Sequence, residues 1–525
     1  MKSFRNRSRR SVLSALLTIL MLLTAMVPGG ILPVTTAEAA GDVLISGDYE
    51  YTVDATGAGA TIVGYRGSAT TLSIPATVNG KNVTAIGYGA FSPNVYFHNS
   101  NAGNLGRITS VTIPEGVTLI DDGAFYRNTS LKTVTFPSTL TNIADYAFTG
   151  CSSLTAIKIP AKTKKIHKYA FCECSSLESI VVEKGNTKYD SRNDCNALIN
   201  TGTKTLIQGS TKTVIPSTIN TIGEQSFACI SISGIVTIPS GVKYVGDKAF
   251  IGNKGMTGVA VPNTVRGGNN AKDFDLDYTF GYDYDTSTAQ YSLTYGTLND
   301  LFATPVMNTE FVVYGYDGSM AQEYVLWELG DQLQFSEMYF YDVGDPNLYY
   351  FAPVQWGAET GIVGGYSDKT FRPNELCTRA QMVAFLWRMA GCPQPKTSQN
   401  PFKDVTDSSV YYYKAMLWAY ENGILGGIKK SDGTLIFNPS GACTRGQAVT
   451  FLWRMAGCPE PASTTSPFAD VRSRGKYYYK AALWASEQGI TGGIKRSDGR
   501  YNFDPEGNCV RRQMVSFLMR YDQKF

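Results

Sequence analysis

Residues 111–125 read VTIPEGVTLIDDGAF, residues 134–148 read VTFPSTLTNIADYAF, and residues 157–171 read IKIPAKTKKIHKYAF. Proline recurs at 114, 137 and 160 and phenylalanine at 125, 148 and 171, in equal steps. The same step returns in TVIPSTINTIGEQSF (213–227) and VTIPSGVKYVGDKAF (236–250). An earlier copy, LSIPATVNGKNVTAIGYGAF (72–91), carries five extra residues between Pro75 and Phe91. A fixed period of this length marks a repeat architecture. Within a unit, Leu131, Val134 and Phe136, or Leu154, Ile157 and Ile159, mark a short strand. The proline that follows ends it, because proline cannot donate to a β-ladder. Ile120, Ile143 and Ile166, each with a phenylalanine five residues on, supply a second anchor aimed into the stack. One such unit cannot bury its apolar face alone, whereas stacked units share a continuous core. Cys151 and Cys174 stand at one offset after Phe148 and Phe171 and are expected in that core.

These motifs resemble the BspA-like leucine-rich repeats of bacterial surface proteins, over roughly residues 65–335. The resemblance implies a β-rich solenoid with a protein- or glycan-binding face; a rigid spacer is the plainer alternative. The stretch VVEKGNTKYDSRNDCNALINTGTKTLIQG (181–209) interrupts the stack as a hairpin-like insertion. FVVYGYDGSMAQEYVLWELGDQLQF (311–335) resembles the family's terminal unit, with a short helix after Ser319. DFDLDYTFGYDYD (273–285) alternates acid with apolar residue, but lacks the glycine and distal glutamate of an EF-hand loop. Period-two alternation predicts a strand with one wet face there, and no metal site.

A second repeat follows. CTRAQMVAFLWRMAGC (377–392) returns as CTRGQAVTFLWRMAGC (443–458), and CVRRQMVSFLMR begins one equal step further along, at 509. FYDV, FKDV and FADV open three units at Phe340, Phe402 and Phe468, with Trp356, Trp418 and Trp484 fourteen residues after each aspartate. Each unit reads as helix, Gly-rich loop, short extended piece, helix, and the first is four residues shorter in its Gly-Gly to Pro loop. Thr378 and Gln381 form a Thr-x-x-Gln capping box. Met382, Phe385, Leu386 and Met389 then share one helical face. At about 100° per residue Arg379 leans toward that buried seam, and Arg388 points away to solvent. A cation in the first turn opposes the helix dipole. An incoming anion held by free amides and guanidinium would resolve the conflict. The alternative is an internal ion pair, with an Asp of the Phe-x-Asp-Val motif as partner.

These units resemble S-layer homology (SLH) domains, whose three copies pack as a pseudo-trimer with ligand grooves between neighbours. The resemblance implies non-covalent attachment to the secondary cell-wall polysaccharide of Gram-positive-type walls, often through a pyruvylated sugar bearing a carboxylate. The family's Thr-Arg-Ala-Glu motif falls on Thr378-Arg379-Ala380-Gln381 and Thr444-Arg445-Gly446-Gln447, and its arginine on Arg379, Arg445 and Arg511. Its Phe-x-Asp motif supplies Asp342, Asp404 and Asp470, and its Gly-Gly turns supply Gly364, Gly365, Gly426, Gly427, Gly492 and Gly493. Three glutamines stand where glutamate is usual, and the third copy has Val510 for threonine and Met519 where Trp387 and Trp453 stand.

The segment 1–39 has the form of a signal peptide: a basic start, an apolar run broken by Ser14, Thr18 and Thr24, and a small-x-small site at Ala37 and Ala39. SRRSVLS partly resembles a twin-arginine signal, but Val12 stands where phenylalanine is preferred, and the general secretory route is expected. No second apolar span of membrane length follows. The leader's net +4 against +3 for the whole chain leaves the remainder near −1. That remainder has no basic stripe, hence no case for nucleic acid. Cys377 and Cys392 flank a helix about 18 Å long, too far to bridge. Pairing between repeats, such as Cys392 with Cys443, is open but leaves odd thiols; the ten cysteines read as small buried side chains. His98 and His167 are the only histidines, which excludes a His-rich metal site and leaves no triad with a supporting motif.

The expected architecture is therefore multidomain: a signal peptide at 1–39, a cap at 40–64, and a β-rich leucine-rich-repeat solenoid at 65–335. An all-α-dominated pseudo-trimer of three SLH units follows, at 338–391, 402–457 and 468–525. The expected protein is a wall-anchored surface protein with no cofactor and no catalytic site. The alternatives are an S-layer lattice subunit and a wall-associated glycan-active enzyme.

Overall fold

Each repeat of the proline–phenylalanine pattern becomes one turn of a stack. The computed structural model describes residues 42–94, 97, 102–167, 169–266, 282–285, 292–294, 297–299, 304–317, 319–328 and 333–525. The leader and His98 lie outside these residues, as does most of the acidic-aromatic stretch 273–285. Of that stretch, Tyr282–Asp285 is a strand, antiparallel to Thr304–Met307.

Strands Leu44–Ser46, Tyr49–Val53 and Gly59–Tyr65 form an antiparallel meander whose last member pairs in parallel with Lys81–Ile86. Two-residue rungs at Leu119–Ile120, Asn142–Ile143 and Lys165–Ile166 continue that sheet in parallel, Asn142 opposite both Leu119 and Lys165. A second wall is built by Thr71–Ser73, Ser110–Thr112 and Thr133–Thr135, again parallel and one repeat apart. After Ala156–Ile159 pairs with Ser179–Val182, the insertion forms antiparallel strands at Tyr189–Asp190, Leu198–Asn200 and Thr205–Gln208. The stack resumes at Thr221–Ile222 and Tyr244–Val245, and its other wall runs through Ser233–Thr237, Gly255–Ala260, Val312–Gly315 and Gln334–Glu337.

The core between the walls is a phenylalanine ladder. Phe91, Phe125, Phe148 and Phe171 are fully buried and stack nearly parallel, with centroids 5.0, 5.1 and 5.4 Å apart. Phe227 and Phe250 repeat the geometry at 5.0 Å beyond the insertion. The spacing is that of neighbouring strands, so the repeat itself imposes the stack. Three residues after four of these phenylalanines stands a buried donor. Asn128 Nδ2 donates to the Phe91 carbonyl (2.8 Å), Asn253 Nδ2 to Phe227 (2.7 Å), and the Cys151 and Cys174 thiols to Phe125 and Phe148 (3.3 Å each). The two cysteines are therefore core donors, and burial pushes the Cys174 thiol up to about 12.

Helix α1 (Met320–Glu328) lies between Val312–Gly315 and Gln334–Glu337, the last two strands of that wall. Six helices follow as pairs: α2 (Phe351–Glu359) and α3 (Arg379–Met389), α4 (Tyr413–Glu421) and α5 (Arg445–Met455), α6 (Tyr479–Glu487) and α7 (Arg511–Asp522). Each closing helix packs on the opening helix of the next unit: α3 on α4, α5 on α6, and α7 back on α2. At the centre the backbone closes a three-membered ring. Cys377 N–H donates to the Cys509 carbonyl (2.9 Å), Cys443 to Cys377 (2.8 Å), and Cys509 to Cys443 (2.8 Å). The four residues missing from the first unit correspond to a hairpin, Ile428–Lys429 with Leu435–Ile436 and Ile494–Lys495 with Tyr501–Asn502 in the other two. The solenoid abuts the first unit through Thr237 Oγ1 to Asp345 (2.8 Å) and Asn347 Nδ2 to the Ile235 carbonyl (3.1 Å).

Seven of the ten cysteines are buried and three depart from the expected burial: Cys229 is half-buried, and Cys392 and Cys458 are exposed, just past the ends of α3 and α5. Both have positive φ, so they sit where a helix unwinds rather than on its buried face.

Candidate functional site

The capping boxes hold where threonine is present. Thr378 Oγ1 accepts from Gln381 N (3.2 Å) while Thr378 N–H donates to Gln381 Oε1 (3.0 Å), and Thr444 with Gln447 repeats this at 3.3 Å in both directions. At Val510 only the return bond from Gln513 survives (3.2 Å). Glutamine does something glutamate could not: Gln381 Nε2 donates to the Tyr366 hydroxyl (3.4 Å).

The first-turn amides are not free. Arg379 N–H donates to the Gly441 carbonyl and Ala380 N–H to Pro439; Arg445 and Gly446 bind Gly507 and Pro505; Arg511 and Arg512 bind Glu375 and Pro373. Every acceptor belongs to the loop of the next unit in cyclic order. An anion cradled by these amides, as the sequence suggested, is thus ruled out by carbonyls already in place.

The guanidinium groups follow the same handover. Arg379 Nε donates to the Phe437 carbonyl (2.8 Å), Arg445 Nε to Phe503 (2.6 Å), and Arg511 Nε to Phe371 (2.7 Å), with Arg511 Nη2 also on Gly364 (3.1 Å). Each charged plane lies against two or three rings: Arg379 at 5.5 and 5.8 Å from Phe437 and Phe451, Arg445 at 5.1 and 5.4 Å from Phe503 and Phe517, and Arg511 at 4.5 Å from Phe371. These side chains are only 4, 5 and 2% exposed. Burial draws the Arg379 and Arg445 guanidinium groups down from their usual range. Among the described residues no carboxylate lies within ion-pair distance of any of the three, so the internal ion pair is replaced by a carbonyl and aromatic faces.

The aspartates position those carbonyls. Asp342 accepts from Phe371 N and Arg372 N (2.7 Å each), Asp404 from Phe437 N and Asn438 N (2.7 and 2.6 Å), and Asp470 from Phe503 N and Asp504 N (2.8 and 2.7 Å). In each Gly-Gly turn the second glycine has no room for a side chain. A Cβ on Gly365, Gly427 or Gly493 would strike the ring of Phe340, Phe402 or Phe468. The first glycines, Gly426 and Gly492, have open space, and Gly364 uses its carbonyl for Arg511. Arg388 does not reach solvent freely: it is half-buried, and its Nη1 donates to the Ile362 carbonyl (3.2 Å), as Arg454 and Arg520 do to Ile424 and Ile490. Those carbonyls follow the opening helices, and the last arginine of each closing helix ties them down.

The arrangement also contains residues that the sequence reading passed over. Tyr349, Tyr411 and Tyr477 are 60, 59 and 50% exposed. Each stands edge-on against the next tyrosine, with centroids 5.1–5.2 Å apart. Tyr477 lies within electrostatic reach of Arg379, and Tyr349 of Arg445. These seams thus offer a recessed cation beside an exposed aromatic ring from another unit. The signal was present: each tyrosine comes seven residues after the aspartate of its unit.

Two protein-family models match this chain. Residues 93–201 and 203–271 match the BspA type leucine rich repeat region in six copies, and residues 344–383 and 401–449 match the S-layer homology domain. The chain carries both kinds of domain. The third helical unit repeats the arginine-to-carbonyl and aspartate-to-amide bonds of the two matched units, without the threonine cap, but lies outside the matched residues. A leucine-rich repeat protein from Bacteroides capillosus is 28% identical, covering 27% of this chain and 98% of that one, with a TM-score of 0.23. One from Eubacterium ventriosum is 24% identical, covering 42% and 66%, with a TM-score of 0.31. Among curated proteins, an amylopullulanase of Thermoanaerobacterium thermosulfurigenes is 26% identical over 165 residues, 31% of this chain and 8% of that protein's length. A repeat solenoid joined to SLH domains fits a cell-surface, wall-anchored protein, and domains of both kinds are typically non-catalytic. No described helix is long and apolar enough to cross a membrane.

Proposed function

We propose that all three helical units form one SLH anchor, which holds the exported chain to an anionic secondary cell-wall polysaccharide and displays the solenoid for protein or glycan recognition. In this reading the protein works by binding, not turnover. The observation that carries it is the threefold recurrence of a buried guanidinium with no carboxylate partner among the described residues. A charge taken out of water needs a counter-charge or a full set of hydrogen bonds, and each arginine is supplied with one or two carbonyls where its fork can serve more acceptors. A sugar carboxylate, such as that of a pyruvyl ketal, would complete the set, with Tyr349, Tyr411 or Tyr477 against the ring of the sugar.

The deep burial of the same arginines favours a second reading, in which they only tie the units together. Sedimentation of the chain from residue 40 onward with purified wall sacculi separates the two. Under the anchor reading, co-sedimentation is lost when the polysaccharide is stripped, and Tyr349→Ala, Tyr411→Ala and Tyr477→Ala together weaken it without lowering the melting temperature. Equal sedimentation with stripped walls, or indifference to the three tyrosines, would leave the arginines as structural ties. Turnover of wall glycan by the purified chain would contradict the non-catalytic part. Regular sheets formed by the purified chain would favour a lattice subunit over a dispersed surface protein.

A further inference from the structure

The third helical unit departs from the other two at one place, and the departures converge. Two residues after the motif aspartate stand Gly344, Thr406 and Arg472; four residues after it stand Pro346, Ser408 and Arg474. Three residues before the carbonyl-bearing phenylalanine stand Asp368, Thr434 and Arg500, and two before it Lys369, Leu435 and Tyr501. In the folded chain Arg472, Arg474, Arg500 and Tyr501 line a single cavity of about 540 Å³, together with Thr464 and Tyr479. The fold does not need these arginines, since glycine, proline and aspartate serve in the first unit and threonine, serine and threonine in the second.

Their hydrogen bonds leave most donors unspent. Arg472 Nε donates to the Ala469 carbonyl (2.7 Å), and Arg474 Nη2 donates to the Thr464 carbonyl (3.3 Å), which the Tyr479 hydroxyl also reaches (3.0 Å). Arg500 forks onto Asp498 at 2.7 and 3.0 Å, but Arg496 shares that carboxylate at 3.3 Å, so one acid serves two cations. Among the described residues neither Arg472 nor Arg474 has an acidic partner. Carbonyls thus anchor the side chains while their charge stays available. Tyr501 is 42% exposed at the rim.

We propose that this cavity is a second anion-binding site, specific to the third unit, for a phosphate or carboxylate carried on a sugar. Guanidinium forks match tetrahedral and planar oxyanions, and the exposed tyrosine offers a flat face for the sugar ring. The site shares no arginine or tyrosine with the three seams, so it stands or falls apart from the anchor reading.

Titration calorimetry on the chain from residue 40 onward tests it, with glucose 6-phosphate, glucuronate, inorganic phosphate and glucose as probes. The expected result is saturable binding of glucose 6-phosphate, glucuronate or both, none of glucose, and weakening with added salt. Arg472→Gln with Arg474→Gln should weaken that binding about tenfold or more at an unchanged melting temperature, because both side chains are exposed. Tyr501→Ala should weaken the anionic sugar and spare inorganic phosphate, and Tyr349→Ala, Tyr411→Ala and Tyr477→Ala together should leave this binding unchanged. The proposal is overturned if neither anionic sugar binds, if the double arginine variant binds as well as the parent, or if binding is lost with the three seam tyrosines instead. It also falls if inorganic phosphate binds as tightly as the sugar phosphate, which would make the cavity a bare ion site.

Discussion

Arg379, Arg445 and Arg511 each hold the loop of the following unit, and the aspartate of that unit holds the same loop from behind. Removing either half should loosen the other. Arg379→Ala leaves the Phe437 carbonyl without its donor and two rings without their cation, at an expected cost of about 2–4 kcal/mol. Asp404→Asn turns an acceptor for two amides into a group that faces one of them with its own N–H. We expect it to cost about 1–3 kcal/mol. Chemical unfolding of the two single variants and the double variant checks both values, and a double cost well below the sum shows that the pair acts on one loop. The thiols divide along the same line of burial. Cys392 and Cys458 are exposed, while burial pushes Cys174 and Cys509 up to about 12. A thiol reagent at about pH 8 should therefore label those two exposed thiols rapidly and the buried ones only after denaturation, since the thiolate is the reacting form.

At the scale of elements, the solenoid rests on its phenylalanine ladder. Phe148 touches stacked partners on both sides, so Phe148→Ala opens a cavity at two interfaces; the expected loss is about 3–5 kcal/mol, read by thermal or urea unfolding. The ladder was legible in the sequence because period and residue type coincide: an aromatic at the same place in every turn of a parallel stack has one place to go. Cys151 and Cys174 were legible by their offset. Cys392 was not, because the repeat CTRAQMVAFLWRMAGC shows where the helix lies but not where its last turn unwinds. Arg379 was half legible. Helical spacing placed it on the seam, yet the sequence could not show that its amide and guanidinium meet carbonyls of the next unit, at Gly441 and Phe437. Repeat spacing reveals a unit; it does not reveal which neighbour that unit serves.

At the scale of the whole molecule, the helical half is a ring whose third unit closes on its first. Arg511 reaches back 140 residues to Phe371 and 147 to Gly364, Cys377 takes its partner from Cys509, and α7 packs on α2. Truncation after Pro467 should therefore unfold the first unit rather than leave a two-unit remnant. Hydrogen exchange should show lost protection in α2 and α3, while the phenylalanine ladder stays protected. A chain that emerges N-terminus first, from a ribosome or a membrane pore, can stack its solenoid rung by rung as each turn appears, since each rung pairs with the one before it. The ring has no such freedom. Its first unit waits for the helix that begins at Arg511, so the half that would grip a wall becomes competent only after everything ahead of it has cleared the exit. Timing is thus written into the order of the units, and a chain stalled short of that helix would be a folded solenoid with no grip.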